Sequence, residues 1–531
     1  MKASNNTLLA FYLFMMLFAI YILTASSLSA HIFDVSVMRS EVIKSIIENF
    51  DLTVPTGTGV VGADGKEYSW HGLGSVIIYL PFYLLANAAG IPPTFFVSIL
   101  SAFFGAATAT LVFLFCLLLG YSRQASVYSA VLYGIGTMAW YYSKDPGDHV
   151  LETFFILLAV YAMLRFTMYK THCDVLASGF SLGIAGLVRP SSFMMIFPLL
   201  LMLIMHLTSK YNYCLAIKAI TKHFCLFIFP VIPFVGIYLW YNLYRFGSIF
   251  EAGYFLIANR IGVDFFQGTP VLSGLAGLLL SPGKGFFYYS PITILFFFSF
   301  TAFWRRHMKV AICFICTITI YILFFSKNHF WHGDWAWGPR YLFMLTPFLI
   351  IASVEFLQRK LQNHNFLEKT AISCLILTSV FVQIISVSIN SYSYFLFLET
   401  EKRVKFTIAN GVGVQPIKGP VYSTYYDWRL SPILLNCEML SRILPNMNKI
   451  SRSYNSNKMN KNKIKITDLP HMNCIDFWWF YIYYYSGNHL IFIIPLILVI
   501  FVFITAYKIL ALIRMLPQTD DKISDLMTSY D

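Results

Sequence analysis

Residues 75–90 read Ser-Val-Ile-Ile-Tyr-Leu-Pro-Phe-Tyr-Leu-Leu-Ala-Asn-Ala-Ala-Gly, and Ile91-Pro-Pro93 follows. The stretch is apolar, but it is short for a bilayer crossing of about 20 residues and carries Pro81 inside it. Whether it crosses decides which side every later loop faces. The surrounding chain makes the question pressing. It is 58% hydrophobic, 18% aromatic and only 12% charged, with a mean hydropathy of +0.65. A soluble domain is about one quarter charged, so the composition predicts an all-α polytopic membrane protein.

Apolar spans are expected at about 8–28, 94–119, 126–141, 150–167, 175–188, 191–207, 224–244, 290–304, 310–326, 341–356, 369–394 and 488–513. The positive-inside rule then settles the ambiguous stretch. With a cytoplasmic N-terminus and 75–90 not crossing, Arg123, Lys170, Lys210, Lys218, Lys222, Arg305, Arg306, Lys309, Arg359, Lys360, Lys508 and Arg514 all fall inside. If 75–90 crossed, Arg123 and its successors would face outward in short loops. The stretch therefore reads as an interfacial helix on the outer leaflet, leaving about 12 spans with both termini inside. The organisation that follows is a transmembrane core over 1–394 with a first external loop at 29–93. An external loop or small domain occupies 395–487, and a last span with a cytoplasmic tail occupies 488–531. The 395–487 segment is compositionally distinct, holding 12 Lys/Arg against 6 Asp/Glu.

The net charge of +13 fits this topology and anionic headgroups. No P-loop, GxGxxG or soluble nucleic-acid module is present, which argues against ATP-driven transport and nucleic-acid partners. Ser-Leu-Ser-Ala30 resembles a signal cleavage site, but the apolar run before it is longer than a usual signal core and reads as an uncleaved span. Cys313 and Cys316 form a CxxC inside a span, without redox or zinc context. Cys437 and Cys474 share the long polar loop, where an oxidising compartment would permit a disulfide.

The unusual polar residues collect in the external segments. Asp34 follows the first span and precedes an amphipathic run, a position suited either to a helix cap or to a general base at the lipid–water boundary. Asp145, Asp148, His149 and Glu152 lie at the mouth of another span. Asp148 and Glu152 share a face if a helix begins near Gly147. This cluster suits a second catalytic carboxylate, an acceptor contact or a divalent cation, although no spacing is diagnostic of a metal. Arg189-Pro190 sits between two spans with almost no loop, where a charge needs an anion. Lys284 stands among glycines in Ser281-Pro-Gly-Lys-Gly-Phe-Phe-Tyr-Tyr-Ser-Pro291. Trp331-His-Gly-Asp334-Trp-Ala-Trp-Gly-Pro-Arg340-Tyr sets His332, Asp334 and Arg340 among three tryptophans, a pattern suited to a phosphate with an apolar or sugar neighbour.

Taken in order, the acid after the first span, the interfacial helix, the acidic/His loop, Arg-Pro, SPGKGFFYYSP and WAWGPRYLFMLTP resemble the GT-C superfamily of integral-membrane glycosyltransferases. The likeness is to polyprenyl-phosphate-dependent relatives of the protein O-mannosyltransferases and the lipid A aminoarabinose transferase, and it covers roughly residues 1–395. It implies a GT-C-like bundle, with Asp34 as catalytic acid and Asp148, or Asp145, as a second functional acid. Arg189, Lys284 and Arg340 would then be the cations for a donor phosphate. Ser36 stands where a paired acid after Asp34 would be, which weakens a metal-dependent mechanism; no cofactor is implied beyond an optional divalent cation.

The expected activity is inverting transfer of a sugar from a polyprenyl-phosphate-linked donor to a lipid, glycan or protein acceptor. It would take place on the periplasmic face of a bacterial inner membrane. The alternatives are a lipid-linked saccharide flippase, which needs polar residues along the spans and broken or repeated helices, and an O-antigen-type polymerase or ligase using a diphosphate-linked donor.

Overall fold

The computed structural model describes residues 2–26, 35–90, 93–144, 147–260, 262, 264–266, 269–333, 336–362, 366–390, 393–394, 397–398, 425–447 and 474–515. The described chain is a helical bundle. Its elements begin with α1 (Lys2–Leu23), α2 (Val35–Asn49), α3 (Gly74–Ala89), α4 (Pro93–Leu118), α5 (Arg123–Gly136) and α6 (Ala139–Lys144). They continue with α7 (Asp148–Tyr169), α8 (His172–Val188), α9 (Ile196–Thr208), α10 (Tyr213–Ile228), α11 (Ile232–Phe246) and α12 (Tyr254–Arg260). The second half holds α13 (Val271–Leu280), α14 (Phe286–Tyr289), α15 (Leu295–Arg306), α16 (Met308–Ser326), α17 (Thr346–Gln362) and α18 (Phe366–Ser388). Helices Pro432–Ile443, Trp478–Ser486 and Ile493–Met515 follow. Among the described residues, eight helices are long and apolar enough to cross a membrane, and a ninth arises if α10 and α11 form one span bent by 47°. That bend falls at Pro230 and Pro233, which remove ladder donors. The stretch 75–90 is indeed one helix, α3, ended by Gly90 at a φ of 66°.

Between α2 and α3 the chain folds into a small hairpin. Val60–Val61 pairs antiparallel with Glu67–Tyr68, and the Glu67 carboxylate accepts from the backbone N–H of Gly57 and Gly59 at 2.8 and 2.7 Å. The hairpin seats on the end of α11. Arg245, buried and stacked 3.7 Å from the Tyr241 ring centroid, donates to the Ser69 carbonyl, while Ala63 N–H donates to the Arg245 carbonyl at 3.0 Å. A Cβ at Gly62 would stand 2.3 Å from that carbonyl oxygen, so only glycine permits the approach.

The chain after the long loop returns to close the first helix. Trp478 and Trp479 donate their indole N–H groups to the carbonyls of Ile22 and Leu23 at 2.8 and 2.9 Å, and Trp478 N–H bonds Ala25 O at 3.0 Å. These are the carbonyls that a helix end leaves without partners. Beside them Asp476 accepts from Lys144 at 2.7 Å and from Ser26 at 2.8 and 2.9 Å, and Lys144 also donates to Val387 O at 2.8 Å. One buried ion pair thus ties together the end of α1, α6, the end of α18 and the C-terminal segment. The segment 425–447 docks separately: Gly283 N–H donates to Tyr425 O, and the Ser431 hydroxyl donates to Pro282 O, both at 2.9 Å. Cys437 and Cys474 carry free thiols rather than a disulfide.

Removing one member of a buried ion pair leaves the other charge without compensation. Asp476→Ala should therefore destabilise the detergent-solubilised protein by about 3–5 kcal/mol. Thermal unfolding of the Lys144→Met/Asp476→Leu double variant should recover most of that loss.

Candidate functional site

The site forms at one end of the bundle, where α7 begins, α8 ends and α17 is approached. Helix α7 starts at Asp148, behind Gly147, so Asp148 and Glu152 lie one turn apart on a common face, as their spacing predicts. Each meets an arginine. Arg39, on α2, donates to Asp148 Oδ2 at 2.6 Å, with both side chains buried. Arg189, in the short link between α8 and the 3-10 turn Pro190–Met195, reaches Glu152 Oε2 at 3.2 Å. Ser192 from the same turn donates to Glu152 Oε1 at 2.9 Å. The Arg189 guanidinium also lies 2.8 Å from His149 Nδ1. Pro190 ends α8 and starts the turn, which is how a charge with almost no loop around it is aimed sideways into the site.

Arg340 arrives from the other half of the chain. Its guanidinium and that of Arg189 both lie over the Tyr341 ring, 5.1 and 5.4 Å from the centroid, and Arg340 Nη2 is 3.2 Å from the Tyr341 hydroxyl. His71 completes the group. It precedes α3, where Gly72 and Gly74 run against the backbone of α8; Cβ atoms there would stand 2.5 Å from Leu187 O and 2.4 Å from Val188 N. These two glycines let the chain pass close enough to set His71 in the field of Arg39, Arg340 and Arg189. Its Nε2 is sealed from solvent with no hydrogen-bond partner among the described residues. Among the described residues, three guanidiniums and two histidines surround two carboxylates, an arrangement with a surplus of donors suited to an anion with several oxygens.

The sequence-derived candidates divide accordingly. Asp148, His149, Glu152, Arg189 and Arg340 come together. Lys284 and His332 form a neighbouring cluster instead. Lys284 is buried, donates to Ala336 O at 2.5 Å and lies 5.5 Å from the Tyr425 ring centroid; the Tyr425 hydroxyl is 3.3 Å from His332 Nδ1. Lys284 thus holds the loop that delivers Arg340, aided by Tyr142, whose hydroxyl donates to Trp337 O at 2.7 Å. Asp34, Asp145 and Asp334 lie outside the described residues. No group of three His, Cys, Asp or Glu side chains that could hold a metal ion occurs among the described residues; Asp148 and Glu152 already carry arginines.

Arg39 and His71 escaped the sequence reading. The signals were present, as the lone arginine of an amphipathic helix and as a histidine before Gly-Leu-Gly, but neither type of residue is unusual between two membrane spans.

Burial, and then the positive charges of Arg39, Arg340, Arg189 and Arg245, hold the His71 imidazole well below the usual histidine value. The folded protein therefore keeps it neutral, whereas the unfolded chain takes up a proton near pH 6.5. Its contribution to stability is complete above that pH and falls as the pH drops below it, by up to about 1.4 kcal/mol per pH unit. Unfolding midpoints measured between pH 8 and 5 should show a shallower acid loss for His71→Gln than for the unchanged protein.

Comparison with known proteins agrees with this fold. Residues 82–246, which include α7, α8 and Arg189, match the family model of the dolichyl-phosphate-mannose-protein mannosyltransferases. The Archaeoglobus fulgidus oligosaccharyltransferase, solved in complex with zinc and sulfate, is similar at a TM-score of 0.50. It shares 12% identity over 77% of this chain and 59% of its own. ArnT from Cupriavidus metallidurans, solved bound to undecaprenyl phosphate, is 12% identical over 90% of this chain and 84% of its own, with a TM-score of 0.44. The chain spans about 60% of the length of the archaeal enzyme. No curated protein matches it in sequence. The chain thus shares the helical-bundle fold of the archaeal oligosaccharyltransferase, and the mannosyltransferase family match covers the stretch that carries Asp148, Glu152 and Arg189.

Proposed function

We propose that the protein moves a sugar from a polyprenyl-phosphate-linked donor to an acceptor hydroxyl or amine at the outer surface of a bacterial inner membrane. The observation that carries this reading is the convergence of Arg39, Arg189 and Arg340 on His71 and Tyr341 at one end of an apolar bundle. A phosphate on a lipid tail needs that combination of oxygen-binding donors and apolar surroundings. The match to a family described by a dolichyl-phosphate donor supports the same substrate class.

In this mechanism Arg340 and Arg189 hold the donor phosphate, and His71, neutral, offers its Nε2 to a phosphate oxygen or a sugar hydroxyl. Asp34 takes the proton from the acceptor. The acceptor's lone pair forms a bond to the anomeric carbon as the bond from that carbon to the phosphate oxygen breaks. The electron pair leaves with polyprenyl phosphate, and the sugar inverts. Negative charge grows on the departing phosphate, so the guanidiniums bind the transition state better than the ground state. A phosphate leaving group needs no general acid.

Asp148 is held by Arg39 and is poorly placed to take a proton, so its part is to fix α2. Asp34 stands one residue before that helix, and the Arg39–Asp148 pair is what anchors the segment that follows it. Lys284 acts through the loop that carries Arg340. Acceptor contacts fall to Asp145, His149, Glu152, Asp334 and His332 as candidates, and the sugar and acceptor are to be read from surface glycans and lipid A of a deletion strain.

With a labelled polyprenyl-phosphate sugar as donor, Asp34→Asn should lower kcat for polyprenyl phosphate release by about 10²–10⁴-fold. Arg340→Ala should weaken catalysis by about 10–100-fold, the loss of one or two hydrogen bonds to a charged group. Near-unchanged turnover by folded Asp34→Asn protein would remove Asp34 from the mechanism.

A further inference from the structure

The far end of the bundle holds a second cationic cleft. Helices α15 and α17 both run away from the site and lie side by side. The Ser299 hydroxyl donates to Ala352 O at 2.6 Å and accepts from Phe356 N–H at 3.1 Å, the two groups that a regular helix would bond to one another. This insertion locks the helices together and loosens one turn of α17. Directly beyond it a cavity of about 380 Å³ opens between them, lined by Phe298, Thr301, Arg305, Arg306, Glu355 and Arg359 among others.

The charges in this cleft do not balance. Glu355 is buried and accepts from Arg306 Nη1 at 3.3 Å and from Arg359 Nε at 2.9 Å. Arg306 is packed further against Tyr121, 4.8 Å from its ring centroid. Arg305 has no ion-pair partner among the described residues. Two guanidiniums therefore share one carboxylate and a third lines the same open cavity, an excess of two positive charges. The other wall is apolar, formed by Ala302 and by Phe298, which is 69% exposed, both on α15. An exposed aromatic side chain beside three guanidiniums is a pattern suited to an amphiphile with an anionic head.

We propose that this cleft binds the phosphate headgroup of an anionic membrane phospholipid. Arg305, Arg306 and Arg359 face the phosphate oxygens, and an acyl chain lies along Phe298. The lipid is preferred over free phosphate because the apolar wall continues from the guanidiniums onto the membrane-facing side of α15. The site lies at the end of the bundle opposite His71, and its occupancy is independent of the transfer reaction proposed above.

Native mass spectrometry of the full chain in neutral detergent tests this, with phosphatidylglycerol, phosphatidylcholine and inorganic phosphate added in separate arms. Retention of phosphatidylglycerol over phosphatidylcholine is expected. Arg305→Ala should weaken that retention about fivefold, the loss of one interfacial cation, whereas Arg305→Lys should keep most of it. Arg305 is exposed, so the Arg305→Ala chain should unfold at an unchanged temperature. Arg305→Glu, as a second variant, should abolish the preference for phosphatidylglycerol. Equal retention by the unchanged and Arg305→Ala proteins would overturn the proposal. Full displacement of phosphatidylglycerol by an equal concentration of inorganic phosphate would overturn the lipid assignment.

Discussion

A charge at the edge of a bilayer has to be paired, and in this protein that requirement assembles the site. Asp148 and Glu152 begin a membrane-spanning helix, where solvation by water is poor and an unpaired carboxylate would cost several kcal/mol. Arg39 and Arg189 meet them at 2.6 and 3.2 Å. Because those arginines come from α2 and from the end of α8, pairing the acids brings three distant parts of the chain to one place. The helix N-terminus adds a favourable field for Asp148 in particular.

Two buried ion pairs hold the end of α6 and the start of α7. Lys144 is fixed by Asp476, from near the end of the chain, and Asp148 is fixed by Arg39, from near the beginning. The polarities are opposite, so neither pair can exchange partners without burying like charges together. The aromatic caps on α1 and the Lys284 contact to the Arg340 loop act in the same sense. The polar groups at this end of the bundle are buried and paired, while the exposed apolar surface of the last helix needs no such specificity.

Much of the site was legible in particular residues. The four-residue spacing of Asp148 and Glu152 and the cramped Arg189-Pro190 link both announced a charge that must find a partner, and they found each other. Arg340 stood out because tryptophans alone do not call for a guanidinium. Lys284 was equally conspicuous, yet it turned inward to a backbone carbonyl, since a lone ammonium is satisfied by any well-placed oxygen. Arg39 and His71 carry no local oddity. Arg39 matters because it meets Asp148, and His71 because Gly72 and Gly74 let it lie against α8, a neighbour more than a hundred residues away.

Composition and span lengths were enough to establish a helical membrane bundle, because hydrophobic burial acts on local stretches of chain; Asp148, His149, Glu152, Arg189 and Arg340, expected on one face, do meet. The same two features also set α3 apart as a discrete helix with its own stop at Gly90. Which acid meets which arginine, whether a lysine faces a ligand or a loop, and where a histidine is left with a ring nitrogen unpartnered were decided by the tertiary structure. Electrostatic pairing in a low-dielectric setting depends on distances of a few ångströms between residues remote in sequence, and no local pattern records those distances.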